Sequence, residues 1–372
     1  MNRSTFRRVA GPGVAALALA LGLSACAAGN ETADGDSEAT VEGLSGTLNG
    51  AGASSQEAAQ SAWRAGFQTA NPDVTVNYDP VGSGGGREQF IAGGNIAFAG
   101  SDAYLSDDEG ELSAAKERCL NEDPIEIPNY VSPIAVIYNL EGVDNLQLSG
   151  ETLAKIFTGD ITKWNDPAIA EDNPDAELPN SNITAVHRAD DSGTTDNFTA
   201  YLDAAAPEVW THGEVGEWPI KHGEAAPQTS GVVSAVTNGS GTIGYADASQ
   251  AGDLGVASIK VGEEYVAPSA EAAAKVLEVS PRAEGRSDVD MAVDLDRTTE
   301  EAGAYPIVLT SYLIACQTYE DQNTADLVKG YLTYIVSDEG QQAAAETAGS
   351  APLSDTLQEE AQGIIDGIKA KS

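Results

Sequence analysis

Four short polar loops constrain this chain more than any other feature of its sequence. They lie at 50–55 (Gly-Ala-Gly-Ala-Ser-Ser), 82–86 (Gly-Ser-Gly-Gly-Gly), 100–103 (Gly-Ser-Asp-Ala) and 188–195 (Arg-Ala-Asp-Asp-Ser-Gly-Thr-Thr). Each stands just after a β-prone run: Thr47-Leu48-Asn49, Val74 to Tyr78, Ile96 to Ala99, and Ile183 to His187. Helical spacing follows the first and last loops, through Ala59, Trp63, Phe67 and Ala70 and through Phe198, Leu202 and Ala205. In open α/β sheets ligands gather at the carboxyl ends of strands. The pattern therefore predicts an α/β fold that brings four loops of one chemistry to one site.

The loop after His187 is the most informative. Ser192 is a good helix N-cap, which leaves the amides of Gly193, Thr194 and Thr195 as donors facing the loop. Arg188 adds a guanidinium fork, so the stretch reads as an anion cradle at a helix N-terminus. Ser54 with Glu57 has capping-box spacing, and its expected role is a cap whose hydroxyl can also face a ligand. Glycines 82 and 84–86 let backbone approach a ligand, but no Gly-Lys-Ser/Thr ends the run, so it is not a P-loop. Asp102, taken alone, reads as a turn residue.

Arg3, Arg7 and Arg8 precede an apolar run from Val14 to Leu23 that is too short to span a bilayer, and Leu-Ser-Ala-Cys26 follows. Residues 1–25 are therefore expected to be a signal peptide. The cysteine at the cleavage position resembles the bacterial lipobox, which implies lipidation of Cys26 (palmitate) and anchoring to the outer face of the cell membrane. Arg7-Arg8 also hints at twin-arginine export, although the flanking residues fit that weakly. Residues 26–45 are small and acidic and read as a flexible tether. The rest is too long for one simple core and suggests two lobes. The net charge of −39 makes nucleic acid and anionic membrane surfaces poor partners. Aligned amides and a buried arginine act locally, within about 3 Å, whereas surface carboxylates are screened beyond roughly 8–10 Å. In an exported protein Cys119 and Cys316 most simply form one disulfide, the alternative being two buried thiols. With three histidines and no zinc-like spacing, no metal site is expected.

Taken in order, Gly50-Ala-Gly-Ala-Ser54, Gly82-Ser83-Gly-Gly, Gly100-Ser-Asp102-Ala-Tyr-Leu-Ser and Arg188-Ala-Asp190-Asp-Ser192-Gly193-Thr194 resemble the phosphate-binding lipoproteins and periplasmic proteins of ABC phosphate uptake systems. Leu153 to Ile169 and Gly241-Thr-Ile-Gly-Tyr-Ala extend the resemblance over nearly the whole chain after the tether. It implies a two-lobed, periplasmic-binding-protein-like (type II) α/β fold that closes on one dehydrated phosphate, as a monomer, with no enzyme chemistry and no cofactor. Its implied partners are inorganic phosphate and ABC permease subunits with a cytoplasmic ATPase. Carried over by position, Ser54 offers hydroxyl and amide, Ser55 its amide, and Ser83 hydroxyl and amide. Arg188 is the cationic fork, Ser192 a hydroxyl donor, Gly193 an amide donor, and Thr194 gives amide and hydroxyl. Asp102 accepts a phosphate proton, and Asp190 is similar to the family's second carboxylate beside the arginine.

Ser55 stands where family members often carry an aromatic, and Asp191 occupies a position that can be glycine. The Asp191 side chain is expected to point to solvent, the alternative being a modest penalty on anion affinity from a negative charge at the cradle's edge. Arg87 is read as a surface residue, with an electrostatic role at the cleft as the alternative. Phosphate keeps a proton to give Asp102, whereas sulfate has none and leaves two negative groups in contact. The resemblance makes Val131 to Tyr138 and Tyr305 to Ala315 the paired crossovers. Lobe one is then 46–137 with 306–372, and lobe two is 138–305. Both cysteines fall in lobe one. Residues 206–224 are expected to be a surface loop without chemistry. The rival readings are a binding protein for sulfate or molybdate, which Asp102 argues against, a surface phosphate sensor without a transport role, and a serine hydrolase. Ser54, Ser83, Ser192 and Ser240 all lack the Gly-x-Ser-x-Gly elbow that a hydrolase needs.

Overall fold

A computed structural model describes residues 43–107 and 110–372; the expected signal peptide, Cys26 and the tether up to residue 42 lie outside the described residues. The strands of the principal sheet, numbered along the chain, are β1 (Gly46–Gly52), β2 (Val74–Asp79), β3 (Phe98–Ser101), β4 (Ile125–Asn139), β5 (Thr184–Arg188), β6 (Glu224–Ala226), β7 (Thr242–Asp247), β8 (Gly255–Val256) and β9 (Val308–Ala315). They run in the order β2-β1-β3-β9-β4-β7-β5-β6, with β8 also pairing β4. The outer strands β2-β1-β3 and β7-β5-β6 are parallel sets, while β9 and β4 run antiparallel to their neighbours.

Strand β4 ties the two lobes together. Residues 125–133 pair with β9, and residues 134–139 pair with β7, so the partner changes at Pro133–Ile134. Proline cannot donate to a ladder and is tolerated where pairing is irregular. Pro133 sits at the exchange and Pro128 sits at a register shift opposite Ser311–Tyr312. The run Val131 to Tyr138 thus falls within β4, and Val308 to Ala315 forms β9. These are the two longest strands, each buried on both faces, with Glu126, Asn129 and Ser132 on β4 and Thr310 and Ser311 on β9 as polar exceptions to their apolar sequence.

On lobe one, helix α1 (Glu57–Ala70) buries Ala59, Trp63 and Phe67. Phe67 meets Tyr331 edge-on at 5.2 Å, and Phe98 packs on the same Tyr331 at 5.5 Å. Ala70 is exposed, so the stripe ends one turn early. On lobe two, α4 (Gly193–Ala205) follows helix α2 (Ser83–Ala92) and helix α3 (Glu111–Arg118) of lobe one in chain order. It buries Phe198 and Leu202, with Phe198 stacked on Tyr245 at 4.3 Å, and leaves Ala205 exposed. Cys119, the C-cap of α3, is disulfide-bonded to Cys316 just past β9, with their Cα atoms 5.2 Å apart. Glu126 on β4 is wholly buried and pairs with Arg286 at 3.3 Å, which also holds Asp290 at 3.0 Å. This lays the chain around 286–291 against lobe one. Among the described residues no helix is long and apolar enough to cross a membrane.

Candidate functional site

All four loops converge where the lobes meet. Arg188 ends β5 with its side chain 2% exposed. Its Nε donates to Asp190 Oδ1 at 2.9 Å and a terminal nitrogen pairs with Asp190 Oδ2, while the other reaches Thr229 Oγ1 at 3.5 Å. Asp190 also accepts the Gln228 amide at 2.8 Å. The guanidinium is thus fixed along one edge by Asp190, with Thr229 at its other terminal nitrogen. Ser192 caps α4, its hydroxyl oxygen accepting from Thr195 N at 3.2 Å. Helix geometry leaves the Gly193 and Thr194 amides without an intrahelical acceptor.

Lobe one supplies the facing wall. Ser54 and Ser55 follow β1 and are buried, as are Ser83, the first residue of α2, and Asp102, which follows β3. Ser83 Oγ accepts the Asp102 amide at 3.1 Å. The carboxylate takes three hydroxyls: Ser311 on Oδ1 at 2.7 Å, and Ser55 and Thr194 on Oδ2 at 2.5 and 3.3 Å. Burial pushes the Asp102 carboxyl above the ordinary aspartate range, while Ser55, Ser311, Arg188 and Thr194 pull it back.

Contacts across the cleft are direct. Thr194 reaches Asp102, Asn197 Nδ2 donates to the Asp102 carbonyl at 2.7 Å, and Gln228 Nε2 donates to the Pro80 carbonyl at 2.7 Å. Two glycines permit this approach. A Cβ on Gly193 would lie 2.6 Å from Ser83 Oγ and 2.8 Å from Asp102 Cβ, and one on Gly82 would lie 2.7 Å from Asp190 Oδ2. Beside Asp102 a cavity of about 1110 Å³ runs between the lobes, lined by Arg87, Asp191, Asp196, Glu214 and Arg297 among others.

Three expectations need correction. Ser54 is not a helix cap: α1 starts at Glu57 after Gln56, and the Ser54 hydroxyl meets Thr229 Oγ1 at 3.0 Å and accepts the Thr229 amide at 3.1 Å. The interlobe contact wins because the Ser54-Ser55-Gln56 turn holds the hydroxyl ahead of the helix. Arg87 is buried rather than on the surface, since Glu111 at 2.9 Å neutralises it and Ser101 accepts a further bond at 3.2 Å. The 206–224 segment is not a bystander. The Gly216 carbonyl accepts the Ser192 amide at 3.1 Å, Trp210 is fully buried, and Trp218 stacks on His187 at 4.9 Å. Asp191 is partly exposed and its carboxylate lies 3.8 Å from Arg87.

Sequence reasoning missed Gln228, Thr229, Asn197 and Ser311. The first two open the helix Gln228–Asn238 behind Pro227, and proline before a helix start was a usable signal. Ser311 is a polar residue inside a largely apolar buried strand, which was another. Among the described residues no cluster of His, Cys, Asp and Glu suits a metal ion. The assembled groups are donors plus two carboxylates, Asp190 bonded to Arg188 and the Gln228 amide, and Asp102 as the acceptor set among hydroxyls. They suit a small oxyanion that carries a proton.

A family model described as a PBP superfamily domain matches residues 37–339. The chain is 36% identical over 359 residues to "Phosphate-binding protein PstS3" of Mycobacterium bovis (strain BCG / Pasteur 1173P2), covering 94% of this chain and 95% of that one. The fold is similar to that of a phosphate-binding protein from Stenotrophomonas maltophilia, with a TM-score of 0.67, 20% identity, and coverage of 86% and 93%. It is also similar to that of PfluDING, described as a high affinity periplasmic phosphate-binding protein bound with phosphate, with a TM-score of 0.67, 21% identity, and coverage of 87% and 99%.

Proposed function

The chain belongs to the PBP superfamily and, within it, to the phosphate-binding proteins, and on that premise we propose that it binds inorganic phosphate between its lobes, outside the cytoplasm, and delivers it to an ABC-type importer. The observation that carries this reading is Asp102, a buried carboxylate set among hydroxyl and amide donors and facing Arg188. Donors alone suit any oxyanion. A buried acceptor demands a proton from the ligand, which phosphate has near neutral pH and sulfate and molybdate lack.

In this reading Arg188 and the amides of Ser54, Ser55, Ser83, Gly193 and Thr194 surround the phosphate oxygens, with the hydroxyls of Ser54, Ser83, Ser192 and Thr194. Asp102 accepts the phosphate proton, and Asp190 holds the arginine fork in place. The protein acts as a binder without catalysis. The lobes are 46–137 with 306–372 and 138–305, and bending of β4 near its partner exchange opens them. Cys26 carries a lipid that holds a monomer at the outer face of the cell membrane, beside the permease subunits and their cytoplasmic ATPase.

The test is titration calorimetry on protein stripped of bound ligand by partial unfolding and refolding, at neutral pH. One-to-one phosphate binding without heat from sulfate is the expected result. Equal affinity for sulfate would remove the selectivity argument, and silence with both anions would overturn the reading.

A further inference from the structure

Asp102 Oδ1 is the end of a buried hydrogen-bond chain that starts at the Tyr331 hydroxyl. Tyr331 Oη lies 2.8 Å from Gln60 Oε1, Gln60 Nε2 lies 2.9 Å from Gln56 Oε1, Gln56 Nε2 lies 2.7 Å from Ser311 Oγ, and Ser311 Oγ lies 2.7 Å from Asp102 Oδ1. All five residues are buried. The direction of every link is fixed by chemistry. Gln56 Nε2 also lies 3.2 Å from the Tyr312 carbonyl, which only accepts, so the Gln56 amide has one orientation. Its oxygen must then face Gln60, whose nitrogen donates to it, and the Gln60 oxygen is left to accept from Tyr331. Ser311 receives the Gln56 N–H, so its own hydrogen points to Asp102.

We propose that Gln60, Gln56 and Ser311 form a one-way donor relay that keeps Asp102 a proton acceptor, so that these residues, which touch no ligand, set the discrimination between protonated and fully ionised oxyanions. The proposal rests on the phosphate reading above. A proton on Oδ1 would face the Ser311 hydrogen. Ser311 could turn to accept that proton alongside the Gln56 N–H, but its own hydrogen would then lose the Asp102 acceptor, so protonation is disfavoured on Oδ1 and falls on Oδ2, where the ligand competes. Two features show the arrangement being favoured over local alternatives. Gln56 occupies the N-cap of α1 yet makes no capping bond with its side chain, forgoing what Ser, Thr, Asp or Asn supply there. Ser311 adjoins the register shift with β4, where pairing is re-aimed.

The other ionisable groups acting on this carboxyl are Arg188 from lobe two, Tyr78 from β2, Tyr130 from β4 and Asp247 from β7. Arg188 favours the ionised form. Asp247 opposes it. Neither depends on the relay, so their effects cancel when a variant is compared with the wild type.

The experiment measures phosphate and sulfate dissociation constants by calorimetry from pH 5 to 8.5 for wild type, Ser311→Ala, Gln56→Met, Ser311→Thr and Tyr331→Phe. The first two variants are expected to lower the sulfate-to-phosphate ratio of dissociation constants about 10-fold or more, and to move the acid limb of phosphate binding up by roughly one pH unit. That shift corresponds to one hydrogen bond to a charged group. Ser311→Thr restores the hydroxyl and the wild-type ratio. Tyr331→Phe keeps the volume and gives a smaller change of the same sign, so a folded variant is available even if the buried substitutions fail to fold. Equal weakening for both anions with an unmoved pH profile, in any folded variant, would overturn the relay. A wild type that binds no phosphate would instead remove the functional reading beneath it.

Discussion

Gly193→Ala should weaken phosphate binding without weakening either lobe. The added Cβ would sit 2.6 Å from Ser83 Oγ, 2.8 Å from Asp102 Cβ and 3.0 Å from Ala103 N, all on the opposite lobe. Ordinary carbon contacts lie at about 3.5–4.0 Å, so the lobes must part by several tenths of an ångström or more. Asp102 cannot swing aside, because its amide and both carboxylate oxygens are already bonded. Overpacking of this kind costs about 1–3 kcal/mol. Here the cost falls on the closed form alone, since an open Gly193 meets none of these atoms. The expected loss is therefore roughly 5- to 150-fold in phosphate affinity. Stability of the ligand-free protein should hold or rise slightly, since alanine favours helix over glycine by up to about 1 kcal/mol. Calorimetry against phosphate and urea unfolding of the stripped protein read the two effects separately. Gly85→Ala is the control, as its Cβ would meet only Val81 of the same lobe, at 3.2 Å. If Gly193→Ala binds as tightly as the wild type, the lobes do not close on the ligand in the arrangement described.

Arg188→Lys keeps a charge but loses the fork that both Asp190 and an oxyanion use, and phosphate affinity measured by calorimetry should fall about 10- to 150-fold; an unchanged affinity would rule out bidentate recognition. Asp247 is fully buried and pushed up to about 6, first by burial, from an ordinary 3.8. Its folded form holds the proton more tightly than the unfolded form, so its contribution to stability is complete below about pH 3.8 and is lost as pH rises through about 6. Asp247→Asn should flatten the pH dependence of urea stability across that window by roughly 3 kcal/mol, and an unaltered slope would sink the assignment. Replacing both Cys119 and Cys316 with serine opens a loop whose ends are 197 residues apart. Chain entropy sets an upper value of about 5 kcal/mol for that change. Thermal unfolding should show the loss while phosphate affinity stays near wild type, because neither cysteine lines the cavity beside Asp102. An unchanged melting temperature would argue against the bond.

Most of the frame was legible because its signals are local. Polar loops after β-prone runs marked the carboxyl ends of β1, β2, β3 and β5, and the apolar runs around Val136 and Leu313 marked the two longest strands. The Ser192 cap was readable for the same reason, since it needs only residues within one turn. What escaped depends on partners far along the chain. Ser54 obeys a capping rule until Thr229, 175 residues later, takes its hydroxyl. Arg87 looks like a surface cation until the folded chain presents Glu111 to it. Trp218 has no strand or helix around it, and its stack on His187, with the Gly216 carbonyl on the Ser192 amide, brings the 206–224 segment to the cradle. Local periodicity carries no information about such pairs.

Strand β9 lies between β3 and β4, which do not pair with each other. A chain emerging from its N-terminus therefore holds an empty slot in the middle of its principal sheet until residues 308–315 arrive. Up to that point β3 and β4 each expose an unpaired edge, the kind that pairs wrongly with other chains. Cys316 follows directly, so the covalent bond can lock the sheet only after the slot is filled. Truncations that stop short of residue 308 should yield aggregating fragments rather than a smaller binding protein. A nascent chain of this topology cannot complete its principal sheet until residues 308–315 are made.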